Sequence, residues 1–304
     1  MADRFVTTIR TGDDTPVVPP EYSVPNDAYA ALGDETRLEI LFELADHYDE
    51  AWSSGWLSFS ALCEQVGVDD TSRFSYHLGK LQDQFVVKER EQYRPTIAAL
   101  EVVTAIRAGT YDETTTRETT IDASCPHCDQ SLLARHHEHM LTLSCSDHGV
   151  AMGYPVPPIA AAHHSLETVV DLVLQQHAAH VESLRRGVCP YCWGPATLSL
   201  PYETVPEFIL QYDTVYATAA CEECWMSYPL PVPELLVSHS AVRALYTAHD
   251  LEPPATHLGS NSLVNLSDVD LLEDGGARVT ISLEEATLVV ELRGDGTVEQ
   301  WHEC

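Results

Sequence analysis

Apolar residues recur at intervals of three and four in some stretches and alternate in others, which separates helical from strand-rich parts of the chain. Leu38, Leu41, Phe42 and Ala45 share one helical face, and Asp34 stands where an N-cap belongs. Ser58 precedes Phe59, Leu62, Cys63 and Val66, a short second helix closed by Gly67. Residues 71–83 predict a third helix with Phe74, Leu78 and Leu81 inward. Phe85-Val86-Val87 and Gln92-Tyr93-Arg94 predict two strands around a charged tip. Ile97, Leu100, Val103 and Ile106 predict a further helix stopped at Gly109. Further on, 140–143 and 215–218 have strand character, and 164–186 and 234–249 predict helices. Four short strands follow at 263–272, 277–283, 287–293 and 298–301, with Gly275-Gly276 and Asp295-Gly296 as hairpin signals.

Composition narrows the class. The chain has 304 residues, 44% of them apolar, enough for two or three domains with real cores. No apolar run approaches the ~20 residues a bilayer span needs. Met1-Ala2-Asp3-Arg4 lacks a signal-peptide core, so a cytoplasmic protein without membrane contact is expected. Forty-seven acids against 16 bases give a net charge of −31, and only Lys80 and Lys88 are lysines. Heavy acid with almost no lysine fits a halophilic, archaeal proteome, where molar salt shortens the Debye length to ~3 Å and screens self-repulsion. The charge is uneven. Between Thr71 and Arg94, Arg73, Lys80, Lys88, Arg90 and Arg94 outnumber Asp83, Glu89 and Glu91. If any surface meets nucleic acid, it is this one.

Helix, short helix, turn, helix, hairpin is the order of a winged helix-turn-helix. Ala31-Leu32-Gly33-Asp34-Glu35-Thr36-Arg37-Leu38-Glu39-Ile40-Leu41 resembles the opening helix of ArsR-type regulators, and Phe74-Ser75-Tyr76-His77-Leu78-Gly79-Lys80-Leu81 resembles their recognition helix. Where such families carry a Leu-Thr-x-x-Gly-like turn, Pro95-Thr96-Ile97-Ala98-Ala99 follows the hairpin here. On the third helix Ser72, Arg73, Ser75, Tyr76 and Lys80 are left outside. Arg73 is the best candidate for a bidentate guanine contact. Lys80, Lys88, Arg90 and Arg94 would hold phosphates of double-stranded DNA. The competing reading is a solvated face on a module used only for protein contacts.

Seven of the nine cysteines form a pattern. Cys125-Pro126-His127-Cys128 is followed, after sixteen residues, by Cys145-Ser146-Asp147-His148. Cys189-Pro190-Tyr191-Cys192 is followed, after twenty-eight, by Cys221-Glu222-Glu223-Cys224. Three thiolates plus an imidazole, and four thiolates, are closed tetrahedral sets for two structural zinc ions. Iron also suits four thiolates. Three other readings compete. Thioredoxin-like redox motifs need no partner knuckle. A zinc deaminase needs Pro before Cys-x-x-Cys, and Val188 stands before Cys189. Disulfides do not suit a reducing cytosol. Cys63 lies on an apolar stripe and reads as core, and Cys304 as incidental. His77, His136, His137, His139, His163 and His164 read as ordinary polar positions.

The two cysteine units repeat with spacings of 64 and 76 residues. Each is followed by a proline-spaced strand, Tyr154-Pro155-Val156-Pro157-Pro158 and Tyr228-Pro229-Leu230-Pro231-Val232-Pro233, and then by a helix. The expected architecture is α+β. A flexible tail (1–25) precedes a winged helix-turn-helix (26–110). A linker containing Thr114-Thr115-Thr116 leads to a tandem zinc-ribbon-like domain with two helices (118–250). A small antiparallel sheet (260–304) ends the chain. The arrangement resembles haloarchaeal ArsR-like transcriptional regulators with a cysteine-rich C-terminal domain. That resemblance implies a non-enzymatic regulator, expected as a homodimer, with the helices near 95–108 and 164–186 as candidate dimer surfaces. An effector or protein partner would act at the zinc domain. The alternative is an interaction adaptor that uses the winged helix as a docking module.

Overall fold

The computed structural model describes residues 26–48, 55–113, 115–125, 127–128, 130–202, 214–251, 262–283 and 286–304. The expected tail over 1–25 and Thr114 of the linker lie outside the described residues. Within them the protein is mixed α+β, with eight α-helices and four small sheets. It divides into two compact units, the first ending at Thr104 and the second running from Ala105 to Cys304. No described helix is long and apolar enough to cross a membrane.

The first unit contains α1 (Asn26–Leu32), α2 (Glu35–Asp46), β1 (Leu57–Ser58), α3 (Phe59–Val66), α4 (Thr71–Leu81), β2 (Val86–Glu89), β3 (Gln92–Pro95) and most of α5 (Ile97–Arg107). Short side chains with an acceptor oxygen set the helix starts. Asp34 accepts from the Arg37 amide at 3.2 Å, and Ser58 from the Ala61 amide at 3.2 Å. Asp70 accepts from the Ser72 and Arg73 amides at 2.9 and 3.2 Å. Arg37 reaches back to α1, donating to the Ala30 carbonyl at 2.9 Å and to the Ala31 carbonyl. That contact fixes the break between α1 and α2. Gly67 ends α3 at φ 73°, a left-handed cap that glycine adopts without steric cost. The third helix ends at Leu81, short of the expected Asp83, which itself has a φ of 73°.

Ile40, Leu41, Leu44, Leu62, Phe74, Leu78 and Leu81 make the core of this unit. Phe59 meets Phe74 edge-on, with ring centroids 5.1 Å apart. The sheet order is β1-β3-β2, all antiparallel. The charged tip turns through Arg90 and Glu91, both at positive φ. Thr96 closes the junction between β3 and α5. Its hydroxyl donates to the Gln84 carbonyl at 2.9 Å and accepts from the Ala99 amide at 3.2 Å.

The second unit opens with β4 (Arg117–Ser124), β5 (Ser131–His137), β6 (Met140–Cys145) and β7 (Gly149–Pro155), paired in that order. Then come α6 (Pro158–His163) and α7 (Leu166–Arg185). A second sheet follows, β8 (Ala196–Ser199), β9 (Tyr216–Cys221) and β10 (Ser227–Pro231), with a 3-10 turn at Val232–Leu236 and α8 (Ser240–Ala248). The last sheet is a meander of β11 (Ser267–Leu271), β12 (Ala277–Leu283), β13 (Ala286–Leu292) and β14 (Val298–Glu303). In both halves a cysteine pair precedes two antiparallel strands, and a second ligand pair separates the middle strand from the third. The internal repeat is therefore structural, with β4 added to the first copy.

α7 is the shared spine, about 30 Å long at 1.5 Å per residue. Leu166, Val169, Val170, Val173 and Leu174 belong to the core under the first sheet. Val181 and Leu184 belong to the core under the second. That second core also takes in Val279, Ile281, Leu288 and Val290, so the meander packs on the second cysteine-bearing half. At the β13–β14 turn, Gly296 has a φ of 77° and a Cβ there would strike Leu198. The helix expected over 234–249 starts only at Ser240. Residues 232–236 form a 3-10 turn instead, with Val232, Pro233, Leu235 and Leu236 buried.

Candidate metal centres

The eight ligand residues come together as two separate groups of four. Cys125, Cys128, Cys145 and His148 form one, and Cys189, Cys192, Cys221 and Cys224 the other. Within each group every pair of ligand atoms lies within 4.8 Å. Cys128 Sγ is 3.6 Å from Cys145 Sγ, and His148 Nδ1 is 3.7 and 3.6 Å from the sulfurs of Cys125 and Cys145. In the second group, Cys189–Cys224 and Cys192–Cys221 are 3.7 and 3.4 Å apart. A disulfide has sulfurs about 2.05 Å apart. A tetrahedral ion with metal–sulfur bonds of about 2.3 Å has sulfur–sulfur edges of about 3.8 Å. The separations match the edges of a coordination tetrahedron, so both groups can hold a metal ion.

The backbone prepares them. In three of the four half-sites the first cysteine N–H donates to the carbonyl five residues on: Cys125 to Gln130 (2.8 Å), Cys189 to Gly194 (2.9 Å) and Cys221 to Met226 (2.8 Å). Each loop so closed turns amides toward sulfur. The Tyr191 amide donates to Cys189 Sγ at 3.4 Å and the Glu223 amide to Cys221 Sγ at 3.3 Å. The amides of Gln130, Asp147, Gly194 and Met226 do the same for Cys128, Cys145, Cys192 and Cys224. In each case the donor sits two residues after the cysteine. The fourth half-site, Cys145 to His148, is a β-hairpin end in which Cys145 pairs with Gly149.

Without a cation, such crowding splits the thiols. The Asp147 amide, followed by the His148 ring, brings Cys145 down to about 6. Burial opposes ionisation of Cys221, but the Glu223 and Cys224 amides outweigh it and bring that thiol to about 7. The Gln130 amide favours ionised Cys128, yet burial and the thiols of Cys145 and Cys125 push it up to about 11. The Gly194 amide likewise favours ionised Cys192, while Cys221 and burial push it up to about 12. A dication at the centre of each set removes that mutual repulsion.

The remaining cysteines are apart. Cys63 is buried and its thiol donates to the Val68 carbonyl at 3.3 Å, while Cys304 is exposed. His136 is buried, with Nε2 3.0 Å from the Val156 carbonyl. His77 is also buried, with Nδ1 3.2 Å from the Asp34 carboxylate.

In the first unit, α4 buries Phe74, His77, Leu78 and Leu81 and exposes Ser72, Arg73, Ser75, Tyr76 and Lys80. Arg73 has no ion-pair partner among the described residues, and Lys80 Nζ lies 5.6 Å from the Tyr76 ring. On the hairpin, Lys88 pairs with Glu91 at 3.0 Å and Arg90 lies 3.9 Å from Glu89. Arg94 is set back. It is half-buried, with its guanidinium 4.9 Å over the Trp56 ring.

Sequence reasoning missed an aromatic and charged cluster between the halves of the second unit. His177 Nε2 pairs with Glu234 at 2.9 Å, and Tyr154 Oη meets His180 Nδ1 at 2.5 Å. Burial lowers the His177 pKa, but the hydrogen bond and charge of Glu234 outweigh it, leaving a raised value. These partners lie 57 and 26 positions apart, so no local pattern announces them.

Residues 122–298 match the family described as Domain of unknown function (DUF7351), and the chain belongs to that family. Residues 25–106 match a second, described as Domain of unknown function (DUF7347). The first match takes in both metal-ligand groups and most of the meander, while the second nearly coincides with the first unit. No curated protein and no solved structure matches the chain.

Proposed function

We propose that the protein is a sequence-specific DNA-binding transcriptional regulator of the ArsR-like winged-helix type, with structural zinc at both cysteine centres. The observation that carries this reading is the face of α4. It turns Ser72, Arg73, Ser75, Tyr76 and Lys80 outward, beside a hairpin bearing Lys88 and Arg90, in a chain whose net charge is −31. α4 is the recognition helix, and the β2–β3 hairpin is the wing. Arg73 reads a guanine edge, worth about 1–3 kcal/mol of discrimination, and Lys80, Lys88 and Arg90 contact phosphates. Arg94 supports the wing through Trp56. The protein acts in the cytoplasm as a homodimer, with exposed Ile97 on α5 and Leu172 on α7 as candidate dimer contacts.

Each cysteine set forms a zinc ribbon with a closed shell of four protein ligands, which serves folding rather than catalysis. Zinc suits the mixed thiolate and imidazole donors of the first set.

The test is selection of genomic DNA fragments in about 2 M KCl, where simple phosphate pairing is strongly weakened. A few fragments should be enriched, and Arg73→Ala should lose them. Enrichment that is absent, or unchanged in Arg73→Ala, refutes the reading. A protein adaptor is the second reading. It is favoured by Trp193 and Trp225, which are 83% and 71% exposed beside the second cysteine set. Under it, Trp193→Ala abolishes a protein complex that Arg73→Ala leaves intact.

A further inference from the structure

Between the two halves of the second unit lies a cavity of about 310 Å³. Its volume equals roughly ten water molecules at about 30 Å³ each, which suits a one- or two-ring molecule. It is built from segments distant in sequence: β7, the middle of α7, the Cys189–Cys192 loop, Trp225 and the 3-10 turn. Neither half could form it alone.

The lining has a definite chemistry. Tyr191 and Trp225 stand with ring centroids 4.9 Å apart at 46°. Tyr154 stacks on His180 at 5.6 Å and 28°, and His180 meets Tyr191 edge-on at 5.1 Å. Of these rings Tyr154, Tyr191 and Trp225 line the cavity, His180 backs them, and Met152 adds a polarizable thioether to the lining. Aromatic faces and thioethers together favour a planar aromatic guest. The polar element is the His177–Glu234 pair, which also lines the cavity. A carboxylate offers about four acceptor sites, and His177 occupies one oxygen of Glu234 at 2.9 Å. Glu234 therefore has acceptor capacity to spare. Apolar walls with a few convergent polar groups mark a small-molecule site.

We propose that this cavity binds a small neutral aromatic molecule carrying one N–H or O–H donor, as in an indole or a phenol, with the ring between Tyr191, Trp225 and Met152 and the donor on Glu234. The site goes beyond the DNA-binding reading and stands whether or not that reading holds, because every residue in it belongs to the second unit.

Fluorine NMR of fluoroindole, titrated with the full metal-loaded chain in molar KCl, tests it. Fluorotoluene, which has no donor, is the companion probe. Two variants report on the site. Gly153→Phe adds a ring at an exposed position of the cavity lining, where a Cβ meets only Met140 Cε at an ordinary 3.7 Å. Glu234→Gln removes the charged acceptor.

Fluoroindole should show saturable, one-site broadening that Gly153→Phe abolishes. Glu234→Gln should weaken fluoroindole about tenfold, as expected for a charged hydrogen bond, and fluorotoluene less than twofold. Absence of saturation below about 5 mM overturns the proposal. So does equal binding by Gly153→Phe, or an equal effect of Glu234→Gln on both probes. Metal content of two ions per chain confirms that each variant is folded. If Gly153→Phe fails that check, the contrast between the two probes in Glu234→Gln decides.

Discussion

Replacing Cys125 with serine should cost the chain one metal ion and leave the other in place. The ligand groups share no residue and sit in different cores, Cys125, Cys128 and Cys145 with one, Cys189, Cys221 and Cys224 with the other. The arithmetic can be read from thiols. With seven of the nine cysteines able to hold metal, the loaded protein should show one fast thiol, exposed Cys304, and one slow thiol, buried Cys63. Cys125→Ser releases Cys128 and Cys145, giving two further reactive thiols, whereas Cys189→Ser releases Cys192, Cys221 and Cys224, giving three. Binding of zinc to such sets contributes about 10–16 kcal/mol near neutral pH, comparable to the whole stability of a domain at about 5–15 kcal/mol. The affected half should therefore lose its tertiary packing, not merely its ion. Thiol titration alongside elemental metal analysis measures both numbers. If Cys125→Ser retained two ions, or the native loaded protein showed eight fast thiols (the seven of the two groups and Cys304), the assignment of two closed centres would be wrong.

Three further outcomes are expected. Lys88→Ala should reduce the slope of log affinity against log salt for DNA by about 0.9, the value for one phosphate contact, whereas Arg73→Ala should relax sequence preference with a smaller change in slope. Asp70→Ala removes the acceptor for two α4 amides and should destabilise the first unit by about 1 kcal/mol in thermal unfolding. The His177–Glu234 pair makes stability depend on pH. Because His177 titrates above its unfolded value of about 6.5, its contribution is complete below that pH and is lost as pH rises through the raised value. Glu234→Gln should flatten that decline in the metal-loaded protein, by about 1.5 kcal/mol across the window, as followed by denaturant unfolding.

The features legible in sequence were those in which neighbouring residues impose the structure. Asp34 and Ser58 carry their own acceptor three residues before the amide they cap, so both helix starts could be read directly. The ligand sets were legible for a similar reason, since Cys-x-x-Cys already brings two thiols to one side. The range 71–83 predicts the helix without naming its cap, which the geometry of the preceding turn places at Asp70. β1 is two residues long, too short to show alternation, and exists because β3 offers an edge to Leu57 and Ser58. β4 fully buries only Ile121, which leaves a faint pattern. The sulfur-directed amides have no sequence signal, because a backbone N–H is present at almost every residue. The cavity is invisible for the same kind of reason. Its polar pair and its rings come from five segments distant in sequence.

The two metal centres should not be equally essential. The second sits on a core that continues through Leu235, Leu236 and Tyr246 into Val279, Ile281, Leu288 and Val290, so much apolar burial survives the loss of its ion. The first has no such reserve. Its sheet is held by Ile121, Leu132, Ala134, Leu141 and Leu143 against the N-terminal half of α7, a smaller core than the second. Small cores of this kind need a metal or a disulfide to fold, and no disulfide is present among the described residues. Hydrogen exchange should therefore show protection lost throughout β5, β6 and β7 in Cys125→Ser. In Cys189→Ser, by contrast, β12 and β13 should keep theirs. Equal loss in the two variants would mean that the meander depends on the second ion as closely as the first sheet depends on its own. The two cores along α7 would then be one cooperative unit rather than two.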